Sequence, residues 1–240
     1  MCSKGIYLGK TIFIGDVHGC LDELLSLFNK LNYVPDKDRI IFLGDLVHKG
    51  PKSAEVIEFV FKNSYETIIG NHDYYFLKTL EGKSKPYAEY ENIISSLTIP
   101  KEKIISWMNN FPCYIKEDTF LAVHAGIDPD GKCIEENNSD VCMNIRYWDS
   151  ANNNFSSITE HQLKKSDGLI AWYEAKSEYF DQFNLMIYGH SAKKEIQFSK
   201  NHRIIGIDTG CCYGGMLTAY ILEENKFVQI ESQQHKQFDY

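Results

Sequence analysis

The chain has 240 residues, 43% hydrophobic and 24% charged, which is ordinary for a globular domain and enough for a two-sided core. Its formal net charge of −8 argues against broad nucleic-acid binding or docking on an anionic membrane, both of which need basic surface. Seven scattered cysteines without CxxC spacing argue against a zinc ribbon or a disulfide framework; with no run of 18 apolar residues, they predict a cytoplasmic, non-membrane protein.

In chain order, the first eighty residues predict βαβαβα. An apolar run Ile12-Phe13-Ile14 leads into Gly15-Asp16-Val17-His18-Gly19, and Leu21, Leu24, Leu25, Phe28 and Leu31 then recur at helical spacing. Ile40-Ile41-Phe42-Leu43 leads into Gly44-Asp45, after which Pro51 suits the first turn of a helix carrying Val56, Ile57, Val60 and Phe61. Thr67-Ile68-Ile69 leads into Gly70-Asn71-His72-Asp73 and a third helix running towards Leu80. Two shorter helices are expected over Tyr90–Leu97 and Lys101–Asn110, the second opened by Pro100. Phe120-Leu121-Ala122-Val123 leads to His124-Ala125-Gly126.

From about Asp128 to Phe183 the pattern is least regular, with Asn152-Asn153-Asn154 and isolated aromatics. This stretch reads as an insertion over the site within a single domain spanning 1–240. Its Tyr147, Trp148, Trp172 and Tyr173 suit either stacking on a base or packing beneath a long loop, and the sequence leaves both open. Short strands then return: Leu185-Met186-Ile187-Tyr188 before Gly189-His190, and Ile204-Ile205-Gly206-Ile207 before Asp208-Thr209-Gly210.

Six apolar runs thus end on a residue able to bind a metal or a phosphate. Ligands of open α/β sheets sit just beyond the carboxyl ends of strands, so the repeat builds one site from many strands. Asp16 and His18, two apart in a Gly-flanked loop, can turn to one ion. Asp45 can lend one oxygen to each of two ions, and Asn71, His124 and His190 can complete the shell of the second. This nitrogen and oxygen set without thiolates favours two divalent ions, Mn²⁺ first, with Fe or Zn²⁺ as alternatives. Two such ions roughly 3.5–4 Å apart can polarise a phosphoryl oxygen and activate water for in-line displacement. His72 is then placed to protonate the leaving oxygen, and Lys49 and Arg146 to neutralise phosphate charge.

Each residue alone has a plainer reading: Asp16 as a turn residue, His124 as a half-buried histidine, the glycines as tight turns. Turn chemistry does not explain why successive turns carry Asp, His, Asn and His. His161, His202 and His235 lie in polar, irregular or terminal segments and read as solvated, while His48 stays undecided because it falls inside a motif.

Gly15-Asp16-Val17-His18-Gly19, Gly44-Asp45-Leu46-Val47-His48-Lys49-Gly50-Pro51, Gly70-Asn71-His72-Asp73 and His124-Ala125-Gly126 resemble, in that order, the signature blocks of the phosphoprotein-phosphatase superfamily. The resemblance runs from about Thr11 to Leu222. It implies an α/β fold, a calcineurin-like four-layer αββα sandwich, with a dinuclear centre at strand ends. It also implies Asp16, His18 and Asp45 around one metal, and Asp45, Asn71, His124 and His190 around the other. His72 would be the general acid, with Asp73 beside it in the catalytic block.

Protein phosphatases of this superfamily usually read Gly-Asp-x-Val-Asp-Arg-Gly, the second Asp orienting the catalytic histidine and the Arg binding phosphate. His48 and Lys49 stand at those positions here. The run Ile207-Asp208-Thr209-Gly210-Cys211-Cys212-Tyr213-Gly214-Gly215-Met216-Leu217-Thr218-Ala219 resembles instead the ending of bacterial symmetrical diadenosine-tetraphosphate hydrolases and their eukaryotic relatives. His124-Ala125-Gly126-Ile127-Asp128-Pro129 and Ile145-Arg146 are similar to the same branch, which implies Arg146 as a phosphate ligand and Asp208 as a structural residue. The expected substrate is a small nucleotide, a dinucleoside polyphosphate or an RNA cap; a Ser/Thr or dual-specificity phosphatase acting on phosphoproteins is the alternative.

Overall fold

The computed structural model describes residues 9–85, 87–136, 138–159, 162 and 168–235. It opens with β1 (Thr11–Ile14), α1 (Leu21–Leu31), β2 (Arg39–Phe42), α2 (Ser53–Lys62), β3 (Glu66–Thr67) and α3 (Asn71–Leu80). Next come α4 (Ala88–Ser96), α5 (Lys101–Met108), β4 (Tyr114–Lys116), β5 (Leu121–Val123), α6 (Ser139–Asn144), β6 (Tyr147–Asp149), β7 (Asn154–Ser156) and β8 (Ile170–Ala171). The chain closes with β9 (Met186–Tyr188), β10 (Gln197–Phe198), β11 (Ile204–Gly206), β12 (Met216–Ile221) and β13 (Lys226–Glu231).

Two five-stranded sheets result, ordered β13-β12-β1-β2-β3 and β10-β11-β9-β5-β4. The site-bearing strands are parallel in each, β1 with β2 and β3, and β5 with β9 and β11, so their carboxyl ends emerge on one side of each sheet. Period-two alternation stacks the sheets. Phe13, Ile41, Ala122, Ile187 and Ile205 point into a shared inner cluster, while their neighbours Ile12, Ile14, Leu121, Val123, Met186 and Ile204 join the outer clusters. Burial on both faces explains why these strands read as unbroken apolar runs.

Helices α1 to α5 supply apolar faces to the outer cluster of the first sheet. The buried stripe of α1 runs through Leu24, Leu27 and Leu31, whereas Leu25 is 40% exposed, a distinction the helical spacing alone did not make. The second sheet is covered by α6, short 3₁₀ turns and a three-stranded sheet ordered β7-β6-β8. There Trp148 and Trp172 are buried, with Trp172 edge-on to Tyr188 at 5.2 Å and to Phe180 at 5.7 Å, so both tryptophans are core residues. Of the four aromatics considered for stacking, only Tyr147 and Tyr173 stay half-exposed. The third strand is shorter than the apolar run suggested, because Ile69 leaves the sheet to donate to the carbonyl of Pro112. Among the described residues no helix is long and apolar enough to cross a membrane. His161 lies outside the described residues, and His202 and His235 are exposed.

One charged tie holds the helical layer together. Glu58 of α2 is nearly buried, accepts from the backbone N–H and hydroxyl of Thr98 and the N–H of Ile99, and pairs with Lys62 at 2.9 Å. Burial opposes its charge, but bonds from Lys62 and Thr98 prevail and hold its pKa at about 2. Glu58→Ala is expected to cost ~2 kcal/mol in a urea titration, because two amides lose their acceptor. A depressed carboxyl pKa stabilises fully above the usual carboxylate range and is lost progressively from there down to about 2, so the difference between the two proteins should shrink across that acid window and not at neutral pH.

Candidate dinuclear metal site

The loops that follow the parallel strands converge at one end of the sandwich. Five non-glycine residues there adopt a left-handed backbone: His18 (φ 45°), Asp45 (52°), His48 (76°), Lys49 (70°) and His190 (65°). Such conformations are costly for residues with a Cβ and persist only where the surroundings enforce them. The enforcing contacts are visible. The amides of Val17 and His18 both donate to the carbonyl of Asp45, and Gly50 N donates to His18 O, lacing the first two loops together.

His18, beyond β1, donates from Nδ1 to the carbonyl of Val47 at 2.8 Å. Its Nε2 is thereby turned inward, 3.4 Å from Oδ2 of Asp45 and 3.9 Å from Oδ2 of Asp16. His124, beyond β5, is fixed the same way, with Nδ1 donating to Leu43 O at 2.7 Å. That leaves its Nε2 3.6 Å from Oδ1 of Asp45 and 3.2 Å from Oδ1 of Asn71. His190, beyond β9, brings Nδ1 to 3.1 Å from the same Asn71 oxygen. Asp45 therefore faces His18 with one oxygen and His124 with the other.

Two donor clusters share that carboxylate. His18, Asp45 and His72 offer ligand atoms within 4.8 Å of one another, and so do Asp45, His124 and His190. Asp16 approaches the first group, and Asn71, at the start of α3, the second. The donor chemistry fits cations. With the protons of His18 and His124 committed to carbonyls, both inward nitrogens are lone pairs facing carboxylate or amide oxygens, that of His18 also meeting the Lys49 ammonium at 2.9 Å. His190 Nε2 is buried without a partner. Acceptors crowded on acceptors, away from water, call for positive charge between them.

The electrostatics agree. Burial raises the pKa of Asp16 well above its usual value, and Asp208 and Asp45 add like charge. Burial resists ionisation of Asp45 too, but His124, His72 and His18 around it hold its carboxyl below the ordinary range. Burial, with Lys49 alongside, lowers His18, and burial with Arg146 alongside lowers His190, keeping both imidazoles neutral as ligation requires. Lys49 Nζ donates to His18 Nε2 at 2.9 Å and lies 5.2 Å from the ring of Tyr213. Despite burial it is held cationic by Cys212, Tyr213 and Asp45. Arg146, beyond α6, donates to the hydroxyl of Ser191, next to His190.

Not every sequence candidate faces this space alike. Asp73, grouped with His72 in the sequence, is fully buried, and its two oxygens accept from the amides of Leu46 and Gly70. Those bonds give it the work of fixing the start of α3 against the Asp45 loop, and burial with Asp45 nearby raises its pKa to about 8. His72 does face the site, its ring 5.0 Å from that of His18. Glu89 and Tyr90 of α4 also reach the site: Glu89 contacts His48 and Lys49, and Tyr90 donates to His72 O. Neither sits in a motif or at a strand end, so only tertiary contact reveals them.

Close approach constrains the rim as well. A Cβ on Gly189 would strike the Asp16 carboxylate, which accepts from His190 N at 3.0 Å. Gly189→Ala is expected to displace Asp16 and lower metal affinity by about 10–100-fold, as disturbed ligand supports typically do, measured by equilibrium dialysis with Mn²⁺.

The sequence model of calcineurin-like phosphoesterases matches residues 9–194. A symmetrical bis(5'-nucleosyl)-tetraphosphatase of Aliivibrio fischeri is 28% identical over 265 residues, covering 90% of this chain and 96% of that protein. A solved structure of a candidate diadenosine tetraphosphatase superposes with a TM-score of 0.76 at 21% identity, covering 95% of both chains. A protein serine/threonine phosphatase of Saccharomyces cerevisiae superposes with a TM-score of 0.60 at 16% identity, covering 98% of this chain and 83% of that one. At these identities the two superpositions speak for the fold.

Proposed function

Because the chain belongs to the calcineurin-like phosphoesterase family, we propose that it is a hydrolase cleaving the phosphoanhydride of a dinucleoside polyphosphate, such as diadenosine tetraphosphate, symmetrically. The observation that carries this reading is the shared carboxylate of Asp45, with His18 on one oxygen and His124 on the other. The tetraphosphatase relative, aligned over 90% of the chain, supports the choice of substrate.

In this reading Asp16, His18 and Asp45 hold one divalent ion, and Asp45, Asn71, His124 and His190 hold the other, with Mn²⁺ the first candidate. When bound, the ions supply Lewis acidity towards the phosphoryl group and a nucleophile from water at neutral pH. Lys49 and Arg146 then balance phosphate charge: Lys49 as a point charge close to His18, Arg146 as a fork beside His190. His72 gives a proton to the departing phosphate oxygen. The stretch 128–183 acts as an insertion of a single domain. The six described cysteines are all free thiols, which suits a reducing cytoplasm.

The test is product analysis after incubating Mn²⁺-loaded protein with diadenosine tetraphosphate. ADP as the sole nucleotide product supports the assignment. Intact substrate, from a preparation that still hydrolyses p-nitrophenyl phosphate, would move the assignment to a protein phosphatase.

A further inference from the structure

At position 48 the protein phosphatases that this chain resembles carry a carboxylate that orients the catalytic histidine; here the residue is His48. The geometry points to a replacement: Glu89 and His48 together form a relay that positions His72. This inference rests on the proposed role of His72 as proton donor.

The relay is continuous. His48 Nδ1 lies 2.8 Å from Nδ1 of His72, and His48 Nε2 lies 3.0 Å from Oε2 of Glu89. The two rings lie at 31° with centroids 4.7 Å apart. Only one proton fits between the two Nδ1 atoms. The carboxylate can only accept, so His48 donates from Nε2 and a neutral His48 must accept at Nδ1. The proton on the His72 side is therefore on Nδ1, and Nε2 of His72 is the nitrogen that gains a proton when the ring is charged beside bound phosphate and passes it to the leaving oxygen. The tautomer follows from the order of partners along the chain of bonds.

The surrounding structure is built to hold this arrangement. Glu89 uses its other oxygen to accept from Lys49 N at 2.7 Å, so one carboxylate braces two consecutive left-handed residues. Ser53 Oγ accepts from His48 N at 3.0 Å. Tyr90 sets its ring 5.2 Å from that of His48 and donates to the carbonyl of His72. Helix α4 thus delivers adjacent side chains to both ends of the His48–His72 pair. His48 and Glu89 are positioning residues, acting on substrate through His72.

The substitutions separate this role from a merely structural one. Glutamine at 89 offers one acceptor oxygen where His48 and Lys49 each need one. Aspartate at 48 places Oδ as many bonds from the backbone as Nδ1 of histidine, so a carboxylate would meet His72 directly. The experiment measures kcat and KM of Mn²⁺-loaded wild type, Glu89→Gln, His48→Asp and the double variant on phenyl phosphate, p-nitrophenyl phosphate and diadenosine tetraphosphate.

Glu89→Gln is expected to lower kcat on phenyl phosphate, whose leaving group needs a proton, by about 10-fold, in the range of lost supporting bonds. On p-nitrophenyl phosphate the loss should be less than about threefold and KM should hold, because that leaving group departs without a proton. In the His48→Asp background, Glu89→Gln should have no further effect. Equal losses on both aryl phosphates, a change confined to KM, or a full Glu89→Gln effect in the His48→Asp background would each overturn the relay. Glu89 is half-exposed, so its variant tests the proposal even if changes at 48 disturb folding. A wild type that cleaves the aryl phosphates but not diadenosine tetraphosphate would refute the proposed substrate while leaving the relay test intact.

Discussion

Asp45→Asn is expected to lower phosphoanhydride hydrolysis by about 10³-fold or more, the scale of losing the charged ligand that the proposed centre shares between its two ions. The substitution is nearly isosteric, and an amide oxygen can still accept from His72 N, as Asp45 Oδ1 does at 2.9 Å. The loop therefore keeps its main tie. What changes is the second atom: an NH₂ donor replaces the oxygen facing His18 Nε2 at 3.4 Å, and one negative charge leaves a buried set. The proposed centre then keeps an oxygen towards His124 but loses the charged ligand that both clusters share. Thermal melts with and without Mn²⁺ separate this from a folding defect. Wild type should gain stability on metal addition through binding linkage, and the variant should lose most of that gain while its metal-free melting temperature stays close to that of wild type. Unchanged Mn²⁺ stabilisation with normal turnover would remove Asp45 from the centre.

His72→Asn is expected to reduce kcat by about 10²–10⁴-fold on substrates whose leaving oxygen needs a proton, the usual contribution of a positioned general acid. Asparagine keeps a polar side chain but cannot deliver a proton. Burial, with Lys49 and His48 nearby, lowers the His72 pKa to about 4 against the pull of Asp45, so the free protein holds this imidazole neutral. A phosphate anion entering the pocket acts in the opposite sense and favours the charged form. The loss should therefore shrink on p-nitrophenyl phosphate, and metal binding should be retained. Equal losses on every leaving group, with weakened Mn²⁺ binding, would make His72 a metal ligand instead.

The strands and the convergence of the candidate residues were legible in the sequence for one physical reason, whereas the sandwich was expected only from the family resemblance. Strands buried on both faces leave unbroken apolar runs, and each run here stops at a Gly-bounded loop carrying Asp, Asn or His. Ile12 to Ile14 and Ile204 to Ile207 are clear examples, and their side chains alternate between the inner and outer clusters. The helices were readable in place but not in facing: Leu25 lies at helical spacing yet points outward, since a face is chosen by what packs against it. The two tryptophans of the irregular stretch were ambiguous because bulk suits a core as well as a base. Glu89 carried no signal. Its partners His48 and Lys49 are about 40 residues away, and nothing in Tyr87-Ala88-Glu89-Tyr90 distinguishes a brace from an ordinary acidic first turn.

The left-handed residues at the loop tips bear on how the protein fails. At about 1 kcal/mol each, the backbones of His18, Asp45, His48, Lys49 and His190 together oppose folding by ~5 kcal/mol, comparable with the lower end of a domain's net stability. The bonds that hold these shapes are local to the loops, with His18 and Asp45 at the ends of first-sheet strands and His190 at the end of a second-sheet strand. Any loosening between the layers breaks the bonds of His190 N to Asp16 and of His124 Nδ1 to Leu43 O, and so parts the two halves of the site at once. Activity should thus vanish while most of the helix signal persists, which makes turnover a more sensitive gauge of this molecule's integrity than its spectrum.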